Sequence, residues 1–108
     1  MSIKFTANHP SERDFRADDE GVVHVSMHVD VWRDDDWQAG FDLDLCPKPR
    51  REHGVEVWTE ELQAACNRAS WVLETPECCY ALTNEVNRAL TGTRAAYERA
   101  QQDFNMSK

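Results

Sequence analysis

Between Gly21 and Cys46 apolar and polar residues alternate in two runs, separated by a charged tip, Arg33-Asp34-Asp35-Asp36. Val23, Val25, Met27, Val29 and Val31 share one parity, and Trp37, Ala39, Phe41, Leu43 and Leu45 share the apolar parity of the second run. Successive side chains of a strand point to opposite faces, so each run is a strand with one apolar and one polar face. The pattern predicts a hairpin with strands over 22–32 and 37–45. A slip of one residue would turn every side chain over, so apolar must face apolar. Pairing Arg33 with Trp37 meets that condition and leaves a three-residue loop, Asp34-Asp35-Asp36. It sets Val31 opposite Ala39, Val29 opposite Phe41, Met27 opposite Leu43, His28 opposite Asp42 and His24 opposite Cys46. A shift of two residues satisfies the same parity.

The flanking sequence extends the sheet and then changes period. Ile3, Phe5 and Ala7 alternate, which predicts a short strand over 2–7, broken at His9-Pro10-Ser11. Residues 11–20 read as a charged connection around one apolar anchor, Phe15. The prolines of Cys46-Pro47-Lys48-Pro49-Arg50-Arg51 end the pairing, since proline donates nothing to a ladder. A further short strand follows Gly54 at Val55-Glu56-Val57-Trp58. Thr59 then reads as a helix cap, with Glu60 and Glu61 in a first turn that favours negative charge. Leu62, Ala65, Cys66, Ala69, Val72 and Leu73 keep helical spacing. Thr75-Pro76 repeats the start signal. From Cys79 through Leu82, Val86, Leu90, Tyr97 and Phe104 an apolar stripe stays in phase across Gly92. That favours one long helix bent at Gly92, with a break at Thr91-Gly92-Thr93 as the alternative. Strands before helices give an α+β fold: an antiparallel three- or four-stranded sheet followed by two helices packed on its Val/Phe/Leu face. The whole chain, 1–108, is expected to form one domain. The other sheet face, with His24, His28, Asp30, Asp42 and Asp44, is left to solvent.

Charge narrows the partners. The chain of 108 residues has 12 basic and 20 acidic side chains, net −8. That balance disfavours phosphate backbones and anionic membranes, and favours a basic partner or plain solubility. The first residues lack an apolar leader and no run is long enough to span a bilayer, so a cytoplasmic protein is expected. Cys46, Cys66, Cys78 and Cys79 are then expected as free thiols, with Cys66 and Cys79 buried on helical stripes.

Candidate chemistry is sparse. His24 and His28 lie about 13 Å apart along a strand, too far to share one ion, so no metal and no cofactor are expected. Cys78 sits near a helix start, where a thiolate is favoured, but no nucleophile elbow, phosphate loop or dinucleotide fingerprint accompanies it. The expectation is no enzyme, with a thiol or metal-assisted hydrolase as the second alternative. Asp30, Asp42 and Asp44 lack the deep cleft that paired carboxylates need for acid–base work. Recognition is better supported. Asp30 to Asp44 holds six Asp against one Arg, most of the chain's net charge. Trp32 and Trp58 fall on outer parities, and tryptophan is enriched at binding hot spots. The expected partner-binding residues are Trp32, Asp34, Asp35, Asp36, Asp42, Asp44 and Trp58. They suggest a small acidic binding module that occupies the basic nucleic-acid-binding surface of another protein, without touching nucleic acid itself. Phage- and plasmid-borne inhibitors of restriction or CRISPR machinery work this way as a class, an analogy of charge and size. The first alternative is a homodimeric structural or adaptor protein. Its ground is that the stripe Leu82, Val86, Leu90, Tyr97 and Phe104 exceeds what one sheet covers.

Overall fold

The computed structural model describes residues 3–50, 54–73 and 75–107. Among the described residues six strands come first: β1 (Ile3–Ala7), β2 (Phe15–Ala17), β3 (Val23–Arg33), β4 (Asp36–Leu45), β5 (Lys48–Arg50) and β6 (Gly54–Glu56). Three helices follow, α1 (Thr59–Arg68), α2 (Pro76–Ala89) and α3 (Arg94–Met106). The fold is α+β, and its four-stranded antiparallel sheet is organised by β3. β4 pairs along one side of β3, while β1 and β2 share the other side, at Val29–Arg33 and Val23–Val25 respectively. The segment read as a charged connection therefore contributes a strand. Phe15 is its buried anchor, and three residues were too few to display an alternation. β5 and β6 form a separate two-stranded ribbon. Pairing with the main sheet ends at Leu45, and Lys48–Arg50, Pro49 included, pair instead with Gly54–Glu56.

The inner sheet face is the apolar parity of the sequence. Phe5, Phe15, Val25, Val29, Leu43 and Leu45 are buried there. α2 packs on β1, α3 on β2 and α1 on β4. Leu82, Val86, Leu90 and Tyr97 are buried within this chain and Phe104 is half-buried. The apolar stripe that grounds the homodimer alternative is thus largely covered by the chain's own sheet.

Helix ends depart from the sequence reading at two places. The stripe through Gly92 is carried by two helices, α2 and α3. Gly92 takes φ +81°, the left-handed geometry that closes helices. The Thr93 hydroxyl donates to the Leu90 carbonyl at 2.6 Å, and α3 restarts at Arg94. Both helices face the same sheet, so the stripe stays in phase across the break. α1 stops at Arg68 instead of running to Leu73. Ser70 takes φ +59°, its N–H reaches the Asn67 carbonyl at 3.0 Å, and the Trp71 N–H reaches the Cys66 carbonyl at 2.8 Å. This pair of bonds is a Schellman closure with serine in the glycine position. It throws Trp71 back onto the sheet, where its ring stacks on Phe41 with centroids 4.2 Å apart. Val72, expected on the apolar stripe, is left 80% exposed. At the other end Trp58, not Thr59, holds the cap position of α1, and no side chain bonds there. Thr75 caps α2 as the sequence implies, its hydroxyl accepting from the Cys78 N–H at 3.2 Å.

Cys66 and Cys79 are buried, while Cys46 and Cys78 are partly accessible. Burial, with Cys79 nearby, pushes the Cys66 thiol up to about 11. Brief alkylation of the folded protein near neutral pH, read by mass spectrometry, is expected to modify Cys46 and Cys78 well before Cys66 and Cys79. Equal rates at all four would contradict this packing.

Candidate functional site: the outer face of the hairpin

The pairs Val31–Ala39, Val29–Phe41, Met27–Leu43 and His28–Asp42 form, the first of the two registers that parity allows. The tip does not. Beyond Val31 the register shifts, so that Trp32 faces Trp37 and Arg33 faces Asp36. The loop is two residues long, Asp34 with φ +50° and Asp35 with φ +70°. Two successive left-handed residues make the turn whose twist matches that of the strands, and aspartate tolerates this conformation better than most residues. Gln38 is the residue left over, a bulge between Trp37 and Ala39. The bulge reverses parity. Trp37, expected on the apolar face, joins Trp32 on the outer face and stands 58% exposed.

Below the tip, two histidines each lie between carboxylates. His28 Nδ1 is 2.8 Å from Asp42 Oδ1, and its Nε2 is 3.0 Å from Asp30 Oδ1. The Trp37 indole N–H donates to the same Asp30 oxygen at 3.0 Å. His24 Nε2 is 2.9 Å from Asp18 Oδ2, and its Nδ1 is 3.3 Å from Asp44 Oδ1. Arg16 from β2 approaches Asp44 at 3.5 Å. The hydrogen bond from Trp37, with that of His28, holds the Asp30 carboxyl below its usual range. The bond with His24 and the Val22 N–H do the same for Asp18. His28 moves the other way, raised by its hydrogen bond to Asp42 and then by that to Asp30.

The expected binding residues are only partly brought together. Asp34, Asp35 and Asp36 form the tip, and Asp42 and Asp44 lie on β4 of the same hairpin. Trp32 is on the outer face but half-buried, its indole N–H donating to the Thr6 hydroxyl on β1 at 2.9 Å. Trp58 is exposed at the start of α1, with its indole N–H bonded to Glu56 of the ribbon. It lies outside the four-stranded sheet and its outer face. Trp37 is the residue the parity reading missed. The signal for it was Asp34-Asp35, a pair able to close a two-residue turn, which forces a bulge further along.

A thiol chemistry is outlined but opposed by its surroundings. Cys46 Sγ lies 3.5 Å from His24 Nδ1, and the far nitrogen of that ring meets Asp18. The order thiol, imidazole, carboxylate is that of an activated nucleophile. However, Asp44 competes for the same Nδ1. Burial, then Glu61 and Asp44, push the Cys46 thiol up, away from thiolate. Among the described residues no group of three His, Cys, Asp or Glu side chains is placed to hold a metal ion, and no helix is long and apolar enough to cross a membrane. Comparison with known protein families, curated proteins and solved structures finds no match.

Proposed function

We propose that the protein is a small acidic binding module, without catalytic activity, whose β3–β4 hairpin engages a basic surface on another protein. The nucleic-acid-binding cleft of a partner complex fits best, which would make the protein an inhibitor. The observation that carries this reading is an exposed indole, Trp37, set among Asp30, Asp42 and a two-aspartate tip on one open sheet face. Carboxylates in rows offer lysine and arginine what a phosphate backbone offers them. Charge of one sign speeds encounter with the opposite sign and rejects wrong partners, while an aromatic anchor supplies affinity. The same charge pattern would repel nucleic acid and anionic lipid.

The test is the triple variant Asp34→Asn, Asp35→Asn, Asp36→Asn. Asparagine adopts the left-handed conformation readily, so the turn survives. Exposed positions of this kind change stability by about 0.5 kcal/mol or less. Affinity capture from host lysate with the parent chain is expected to return a basic nucleic-acid-binding complex. With the variant, association should slow, and its salt dependence should flatten, as surface charges are screened beyond about 8 Å at physiological ionic strength. Capture unaffected by both the substitutions and added salt would rule the acidic hairpin out as the binding edge.

A further inference from the structure

We infer that His28 is a proton-operated clasp that sets the charge of the hairpin's outer face and the anchoring of Trp37. This rests on the binding reading above, and concerns how that same face is regulated. Both ring nitrogens of His28 meet carboxylate oxygens, Asp42 Oδ1 on β4 at 2.8 Å and Asp30 Oδ1 on β3 at 3.0 Å. A carboxylate only accepts, and a neutral imidazole has a single N–H to donate. Both contacts are therefore hydrogen bonds only when the ring carries two protons.

Gly40 makes the seat. A Cβ at that position would lie 2.9 Å from His28 Cε1 and 3.0 Å from both its Nε2 and Asp30 Oδ1. Any side chain there would push the ring off β4. Asp30 Oδ1 also accepts the Trp37 indole N–H, so the proton on His28 sits at one end of a chain that runs His28, Asp30, Trp37. Other groups face the same cleft. Asp14 and His9, from the segment between β1 and β2, line it together with Ser26, His28 and Asp42. Asp14 accepts from the Ser11 N–H at 2.8 Å, and His9 Nδ1 is held by the Ala89 carbonyl at 2.8 Å. Asp14 and His9 thus face His28 from that segment, while the imidazole is raised above its ordinary 6.5 by its bonds to Asp42 and then Asp30.

On the acid side the clasp is closed and cancels one negative charge. As pH rises through the raised value the proton leaves, one nitrogen turns a lone pair toward a carboxylate, and the contact opens. The face then gains one negative charge and releases its hold on Asp30. Binding to a cationic partner strengthens with pH. The stability that the clasp adds to the fold is complete below the ordinary histidine value and is lost as pH rises through the raised one.

The test uses the full chain alone, by NMR titration of the His28 ring and the Trp37 indole from about pH 5 to 9. The His28 midpoint is expected above 6.5, with the Trp37 indole signal moving at the same midpoint. Asp42→Asn should lower the midpoint, and Gly40→Ala should lower it without removing any charge. His28→Gln should abolish the Trp37 transition. If Gly40→Ala fails to fold, Asp42→Asn decides the matter. A midpoint at or below the ordinary value, or an indole blind to the titration, would overturn the clasp. A second arm measures binding of an oligo-arginine peptide at about pH 6 and about pH 8. Affinity should rise across that range. The share of the rise that His28 supplies should be about threefold, the Coulomb worth of one charge over several ångströms of water, and His28→Gln should lose that share while keeping whatever His24 on the same face contributes. An intact titration with no binding at either pH overturns the proposed function and leaves the clasp standing. Binding without pH dependence overturns the clasp as a regulator.

Discussion

Replacing Leu82 with alanine is expected to remove about 2–5 kcal/mol of folding stability. Leu82 is fully buried on α2, which packs over β1, and it belongs to the one cluster that joins helices and sheet. Alanine there forfeits the transfer energy of the lost methyl groups and leaves a cavity that a two-layer core closes only in part. A domain of this size has roughly 5–15 kcal/mol of stability in total. Each kcal/mol moves the midpoint by about 4–8 °C for chains near this length, so Tm should fall by at least about 8 °C. Urea denaturation should show a lower midpoint with an unchanged slope. Val72→Ala is the contrast. On the apolar stripe of the sequence Val72 looks equivalent, but it lies beyond the Schellman closure of α1 and is exposed. Its loss should be nearly neutral. Comparable losses at the two positions would mean that α1 does not end at Arg68.

The contrast shows where a sequence speaks and where it is mute. Periodicity of two places Val25, Val29 and Leu43 inside because alternate side chains must share a face, whatever happens elsewhere. The capping of α2 by Thr75 was legible because hydroxyl, proline and spacing all act within one turn. The ends of α1 and α2 were not. An apolar stripe can be continued by a second element facing the same core, so Ala69 to Leu73 and Leu90 to Tyr97 look helical from spacing alone. Only the left-handed Ser70 and Gly92 end the helices, and serine announces that conformation poorly. On the functional face, the acidic side chains could be assigned to one hairpin, and His28 to Asp42. The exposed tryptophan could not be identified. Three consecutive aspartates allow loops of two or three residues, and choosing between them decides the parity of every residue from Asp36 to Gln38. Parity along its own strand groups Trp58 with the hairpin, but it says nothing about which sheet that strand joins.

Trp37→Ala is expected to cost the greatest share of binding. An exposed indole on a charged face is the type of residue whose truncation costs about 2 kcal/mol or more at an interface, near thirtyfold in Kd. Stability should barely change, because the ring is largely solvated and sits outside the core cluster. Trp37→Phe separates two contributions. It keeps an aromatic face for a partner's guanidinium to stack on but removes the N–H that Asp30 accepts. If stacking dominates, Trp37→Phe should retain most of the affinity while Trp37→Ala loses it. If the hydrogen bond dominates, both should bind weakly; in either case the Asp30 carboxyl should move back toward its ordinary value in both variants, since both lack the indole N–H. Trp58→Ala, at an equally exposed indole beside the ribbon, serves as the control and should leave binding intact. These measurements need the captured partner or the oligo-arginine probe, with binding read at fixed salt. Equal losses from Trp37→Ala and Trp58→Ala would move the interface off the outer sheet face and toward the ribbon and the start of α1. Loss from Trp37→Ala alone would fix the contact on the face that the Gln38 bulge creates, since without that reversal of parity the same indole would point into the core.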